Sequence, residues 1–233
     1  MLRHSVLWTL RDTATPQLRR EMLAGLAFLG TECPMVRHGD YGEDLFGGSC
    51  GSRKPPRTPM WRREGAGPES DFDVALHLDF DDWSGHEAYG ADTTHTEASR
   101  FNESVAWDEL TARVDWYYDG EPPTTRGHVR HVAMFVWAAG VADAGRVRAQ
   151  NAVRALGGLP EVEAVAVGDN VGKLQSDYDW IMDVQLPDRL AADQLLGGSA
   201  YAEAMEAAAA ATKFEWTARV THVMRGRPLK PLA

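Results

Sequence analysis

Apolar and polar residues alternate along Asp73–Phe80. Val74, Leu76, Leu78 and Phe80 share one face, and Asp73, His77 and Asp79 share the other. Period two with one apolar face predicts a half-buried strand. The run opens Ser70-Asp71-Phe72-Asp73 and returns as Ser176-Asp177-Tyr178-Asp179, 106 residues later. Glu109-Leu110-Thr111-Ala112-Arg113-Val114 returns at the same offset as Glu215-Trp216-Thr217-Ala218-Arg219-Val220. Two echoes at one offset point to an internal duplication of a unit of roughly 100 residues.

The first copy reads in order as a strand from His4 to Leu10 and a helix capped by Thr15 with Pro16 at its first position. Apolar residues follow at Leu18, Met22, Leu26 and Leu29, with Gly30 as the stop. A strand over Met35–Tyr41, the central strand, a short helix over Trp83–Tyr89, a turn over Gly90–His95, a helix over Thr96–Trp107 and a strand over Thr111–Tyr118 complete it. The second copy predicts strands over Arg130–Val136, Glu161–Val167 and Thr217–Met224 besides its central one. Its helices are Asp143–Leu156, Ala191–Leu196 and Ser199–Thr212. The fold class is therefore α+β: two ferredoxin-like (β-α-β-β-α-β) repeats, over 1–120 and 128–225, forming a pseudo-dimeric α/β barrel. Each sheet has a bare face that must be buried, and a fused twin supplies the cover. On that inner face the pattern places Asp73, His77, Asp79, Asp179 and Asp183, which need partners there.

Arg130-His131 restates Arg3-His4 at an offset of 127, so the first copy holds 21 extra residues. They fall in a segment without period, about 43–69, carrying Arg53, Lys54, Arg57, Arg62 and Arg63. It is read either as a mobile surface loop or as a receiver for an anionic group. A formal charge of −10 argues against duplex nucleic acid or an anionic membrane as partner. Cys33 and Cys50 read as free thiols in a reducing cytoplasm. With no signal peptide and no membrane-length apolar run, the expected location is cytoplasmic. The expected partner is a small-molecule substrate, alongside the intramolecular pseudo-dimer and any further self-association.

The β-α-β-β-α-β order, a histidine in the first strand (His4) and Tyr-x5-His after the third (Tyr89, His95) resemble the stress-responsive dimeric α/β-barrel (Dabb) family. Within it they resemble cofactor-free polyketide cyclases of the olivetolic acid cyclase type. The resemblance implies His95 as base in an aldol ring closure, with Tyr89 assisting. The third-strand histidine of those cyclases is Val74 here.

The residues themselves support related chemistry. An imidazole shuttles protons near neutrality, and a phenol can donate to an oxygen that becomes negative. His95 is thus the expected base, Tyr89 the donor and His4 the orienting group, with Val6, Trp8, Val74 and Leu76 as an apolar substrate-binding wall. No metal site and no cofactor are expected, because neither Cys/His ligand spacing nor a Gly-rich phosphate loop is present. At offset 106, Tyr89 becomes Leu195 and His95 becomes Tyr201, so one competent site is expected in the first copy. The alternative adds a second site from His131 and Tyr201. His77 is read as structural, His38 and His86 as exposed, and His128 as without a role. The functional expectation is a cyclase, lyase or isomerase of secondary metabolism. The alternatives are a non-catalytic stress-responsive or ligand-binding barrel and a cofactor-free monooxygenase.

Overall fold

A computed structural model describes residues 1–46, 72–119, 126–174 and 178–226. The first half contains β1 (Leu2–Trp8), α1 (Pro16–Glu32), β2 (His38–Glu43), β3 (Val74–Phe80), α2 (Trp83–Gly90), α3 (Thr93–Val105) and β4 (Ala112–Tyr117). The second half contains β5 (Val129–Phe135), α4 (Asp143–Arg154), β6 (Ala164–Asp169), β7 (Trp180–Leu186), α5 (Arg189–Gly197), α6 (Ser199–Ala209) and β8 (Ala218–Val223). Two four-stranded antiparallel sheets result, ordered β2-β3-β1-β4 and β6-β7-β5-β8. This is the ferredoxin-like order, twice.

Local chemistry sets the boundaries. The Thr15 hydroxyl accepts from Leu18 N at the start of α1, as its position before Pro16 predicts. Gly30 does not stop α1, which runs on to Glu32; its Cα lies against Gly39 of β2, so its small size serves close helix–strand packing. Asp82 caps α2 and Asp188 caps α5, each accepting from the backbone N–H three residues on. Asp92 caps α3 and draws its start forward to Thr93, so His95 sits in the first helical turn rather than in a turn before it. Gly168 and Asp169 are the last two residues of β6.

The helix-facing sides of the sheets carry the two larger cores. Val6, Trp8, Leu76, Leu78 and Phe80 pack under α1 to α3, and Phe135, Trp180, Met182 and Val184 under α4 to α6. A third core of Leu7, Ala75, Val114, Trp116, Val132, Met134 and Ile181 lies between the sheets.

A closed barrel does not form. The ladders stay separate and touch through isolated bridges at Asp44–His222 and Trp116–Asn170. Two glycines in matching strand positions lie at these contacts. A Cβ on Gly42 would lie 2.7 Å from His222 Nδ1, and one on Gly168 would lie 2.3 Å from Trp116 Cε3. His222 of β8 and Trp116 of β4 occupy those spaces, and backbone bonds from Leu45 N to Thr221 O and from Val171 N to Asp115 O join the sheets beside them.

Three of the five polar residues expected between the sheets are there. Arg3 grips Asp79 with Nε and Nη2 (2.7 and 3.0 Å) and reaches Asp183 with Nη1 (2.6 Å). Arg130 Nη1 donates to Asp40 at 2.8 Å, and its Nε lies 3.2 Å from the other Asp183 oxygen. His77 bonds Ser5 and stacks on His222. Asp73 and Asp179 are corrections: they sit at strand ends and accept from Leu10 N and Trp137 N, where the chain leaves β1 and β5. His38 is also a correction, because it is buried against Asp79 rather than exposed. The basic segment lies outside the described residues apart from its first few, as do Cys50, residues 120–125 and the tail after Gly226.

Candidate functional site

The strand register aims the site. His4 lies opposite Leu78 on β3 and Asp115 on β4, so all three face the helices. On α2, Trp83, His86 and Tyr89 recur every third residue and turn inward together. His95 projects from the first turn of α3 onto Tyr89, ring centroids 4.3 Å apart. His4 lies 6.1 Å from Tyr89 by the same measure.

These three side chains line one cavity of about 50 Å³, with Val6, Trp8 and Leu76 as its apolar wall. Val74, the fourth wall residue expected, packs in the helix-side core and is not part of the lining. Glu103, Asp108 and Arg113 stand at the exposed end. The enclosed space is far below the roughly 300–1,000 Å³ that holds a drug-sized ligand. It takes one functional group of a ligand, not a whole polyketide chain.

Burial lowers the His95 pKa below the ordinary value, aided by His4 and opposed by the Gly90 carbonyl and Asp92, so the ring is neutral at physiological pH. Its Nδ1 is buried without a well-formed hydrogen bond. Burial raises the Tyr89 phenol well above its usual range, which keeps the proton on the oxygen. A neutral imidazole beside a protonated phenol is the state required of a base and a hydrogen-bond donor.

Two residues that pattern reading missed complete the surroundings. His4 Nδ1 lies 2.6 Å from Asp115 Oδ1, and His86 Nε2 lies 3.3 Å from His4 Nδ1 and 3.4 Å from the same oxygen. Burial pushes the Asp115 carboxyl up, but His4 outweighs it and holds the group below its usual value, hence ionised. His86 is 5% exposed, against the expectation that it is exposed; burial and His4 lower its pKa to about 4. The helical stripe Trp83-His86-Tyr89 was a usable signal for burying His86. Asp115 stands out only once β4 is paired with β1.

The second half places the matching residues differently. His131 Nε2 meets the Tyr201 hydroxyl at 2.9 Å, and its Nδ1 meets Thr221 Oγ1 at 2.8 Å. Both ring nitrogens are occupied, and Ala192 and Leu195 stand where His86 and Tyr89 stand in the first half. Burial drives the His131 pKa down from 6.5 to about 3.

A stability prediction follows from that shift. The unfolded chain protonates this histidine near 6.5, whereas the fold resists until about 3. Stability is whole above the unfolded value and is lost as pH falls through that window. At pH 5 the loss from His131 alone is about 2 kcal/mol. Urea midpoints at pH 7 and 5 read it, and His131→Phe is expected to narrow the difference.

Among the described residues no helix is long and apolar enough to cross a membrane. No family model matches the chain, and no curated protein matches it. Solved structures do. A candidate monooxygenase from Lactobacillus acidophilus is 12% identical, with a TM-score of 0.55 over 100% of this chain and 99% of that one. Another from Fusobacterium nucleatum is 8% identical, with a TM-score of 0.61 over 99% and 95%. A candidate chlorite dismutase is 10% identical, with a TM-score of 0.53 over 96% and 94%. At such identities the likeness shows the fold alone.

Proposed function

We propose that the chain is a fused pseudo-dimer of the Dabb kind whose first half is an acid–base enzyme acting on a small carbonyl compound. His95 takes a proton from the carbon next to the carbonyl. Tyr89 donates its hydroxyl hydrogen to the oxygen that becomes negative. His4, held by Asp115, orients the reacting group. Returning the proton elsewhere gives isomerisation. Attack of the carbanion on a second carbonyl gives aldol ring closure, and loss of hydroxide from the adduct gives the dehydrated ring. These steps require no cofactor.

The observation that carries the reading is the difference between halves. One cavity gathers His95, Tyr89 and His4, while His131 and Tyr201 bond each other in the second half. The narrow cavity favours a substrate whose carbonyl end enters while the remainder lies along Glu103, Asp108 and Arg113.

A second reading, a cofactor-free monooxygenase on a phenolic compound, draws support from the candidate monooxygenases that share the fold over nearly their whole length. His95 would then deprotonate the phenol. Native mass spectrometry of the purified chain for a co-purified small molecule, followed by turnover of that compound with and without oxygen, separates the two. Product formed equally under nitrogen supports proton chemistry. Turnover that stops without oxygen replaces it with the monooxygenase.

A further inference from the structure

We infer that His4, His86 and Asp115 form a binding site for a divalent transition-metal ion. Three potential donor atoms from β1, α2 and β4 converge on one point: His4 Nδ1, His86 Nε2 and Asp115 Oδ1. Their separations are 2.6, 3.3 and 3.4 Å. Donors about 2.1 Å from one ion lie roughly 3.0 Å apart at right angles and roughly 3.4 Å apart at the tetrahedral angle. The triangle already has nearly the size of one face of a coordination polyhedron.

Hydrogen bonding alone satisfies this triangle poorly. Asp115 can only accept, so His4 Nδ1–H donates to it. His86 Nε2 then faces the same nitrogen with a lone pair, or shares Asp115 Oδ1 with His4 through a contact as long as 3.4 Å. A cation at the centre displaces the His4 Nδ1 proton, leaving that ring as its Nε2–H tautomer, and then meets two nitrogen lone pairs and a carboxylate at once.

Two imidazoles and one carboxylate suit zinc, iron, cobalt or nickel rather than magnesium or calcium. Three protein donors leave coordination positions open. His86 also lines a surface hollow of about 560 Å³ with Trp83, Glu87 and Lys173, so one ligand of the site stands next to solvent. The site shares His4 and its partner Asp115 with the proposed proton chemistry, but neither His95 nor Tyr89. Its failure would leave the His95–Tyr89 reading standing.

The test is Zn²⁺ titrated calorimetrically into the chelator-stripped full chain. One equivalent is expected to bind. His86→Ala and Asp115→Asn are each expected to weaken binding at least about 100-fold. His128→Ala, which removes a half-exposed histidine paired with Glu163 at 2.7 Å, is expected to change nothing. No binding, equal binding by His86→Ala, or loss in His128→Ala would overturn the site. If the His86 and Asp115 variants fail to fold, imidazole nitrogen NMR on the wild type decides. Zn²⁺ is expected to move His4 Nδ1 and His86 Nε2 first, and a response elsewhere with these two unchanged would overturn it.

Discussion

Replacing Asp183 by asparagine is expected to lower stability by about 3–5 kcal/mol. The carboxylate lies between two guanidinium groups, 2.6 Å from Arg3 and 3.2 Å from Arg130, and both arginines are at most 1% exposed. Asp79 retains Arg3 and Asp40 retains Arg130 in the variant. Yet the two cations then face each other in a buried interface without the anion that separates them. Breaking one partner of a buried ion network leaves charge uncompensated where water cannot reach it. Urea unfolding measures the effect. A loss below about 1 kcal/mol would mean that water enters between the sheets and screens the pair.

His95→Ala is expected to lower turnover of the co-purified compound by about 10²-fold or more, with the fold intact. The ring lies at a cavity edge, is partly exposed and packs chiefly on Tyr89, so its removal opens space at the margin of the core rather than within it. Tyr89→Phe removes one hydrogen bond to a developing negative charge and is expected to cost less. The fall should lie in kcat if His95 acts in the chemical step. A fall confined to KM would make it a binding group instead.

Much of this fold is legible from periodicity. The alternation over Val74–Phe80 and its repeat over Trp180–Leu186 locate the central strand of each sheet, and all four apolar residues of the first run face the helix-side core. Helix starts are legible where a side-chain cap is present, at Thr15 before Pro16. They are missed where the cap and the turn share residues, at Asp92 before Thr93. Closure is not legible. The contacts at the two sheet edges, Trp116 over Gly168 and His222 over Gly42, join residues more than 50 positions apart.

The candidate site divides along the same line. Tyr89 and His95 are close in sequence, and one helix–turn–helix brings them together. Asp115 and His86 reach His4 from 111 and 82 residues away, through the β1–β4 register and the packing of α2. Histidine burial is legible locally only in part. The charge that accompanies His38 comes from β3, whereas the rings around His86 come both from its own helix, at Trp83 and Tyr89, and from β1 and β3, at His4 and Phe80.

The central claim is that ligand chemistry belongs to the helix-side cavity of the first half. Imidazole nitrogen NMR of the histidine-labelled chain, titrated with the co-purified compound, tests it most directly. The account predicts that His95 and His4 respond together in a saturable way while His131, locked between Tyr201 and Thr221, stays fixed. A response at His131 with His95 unmoved would contradict it.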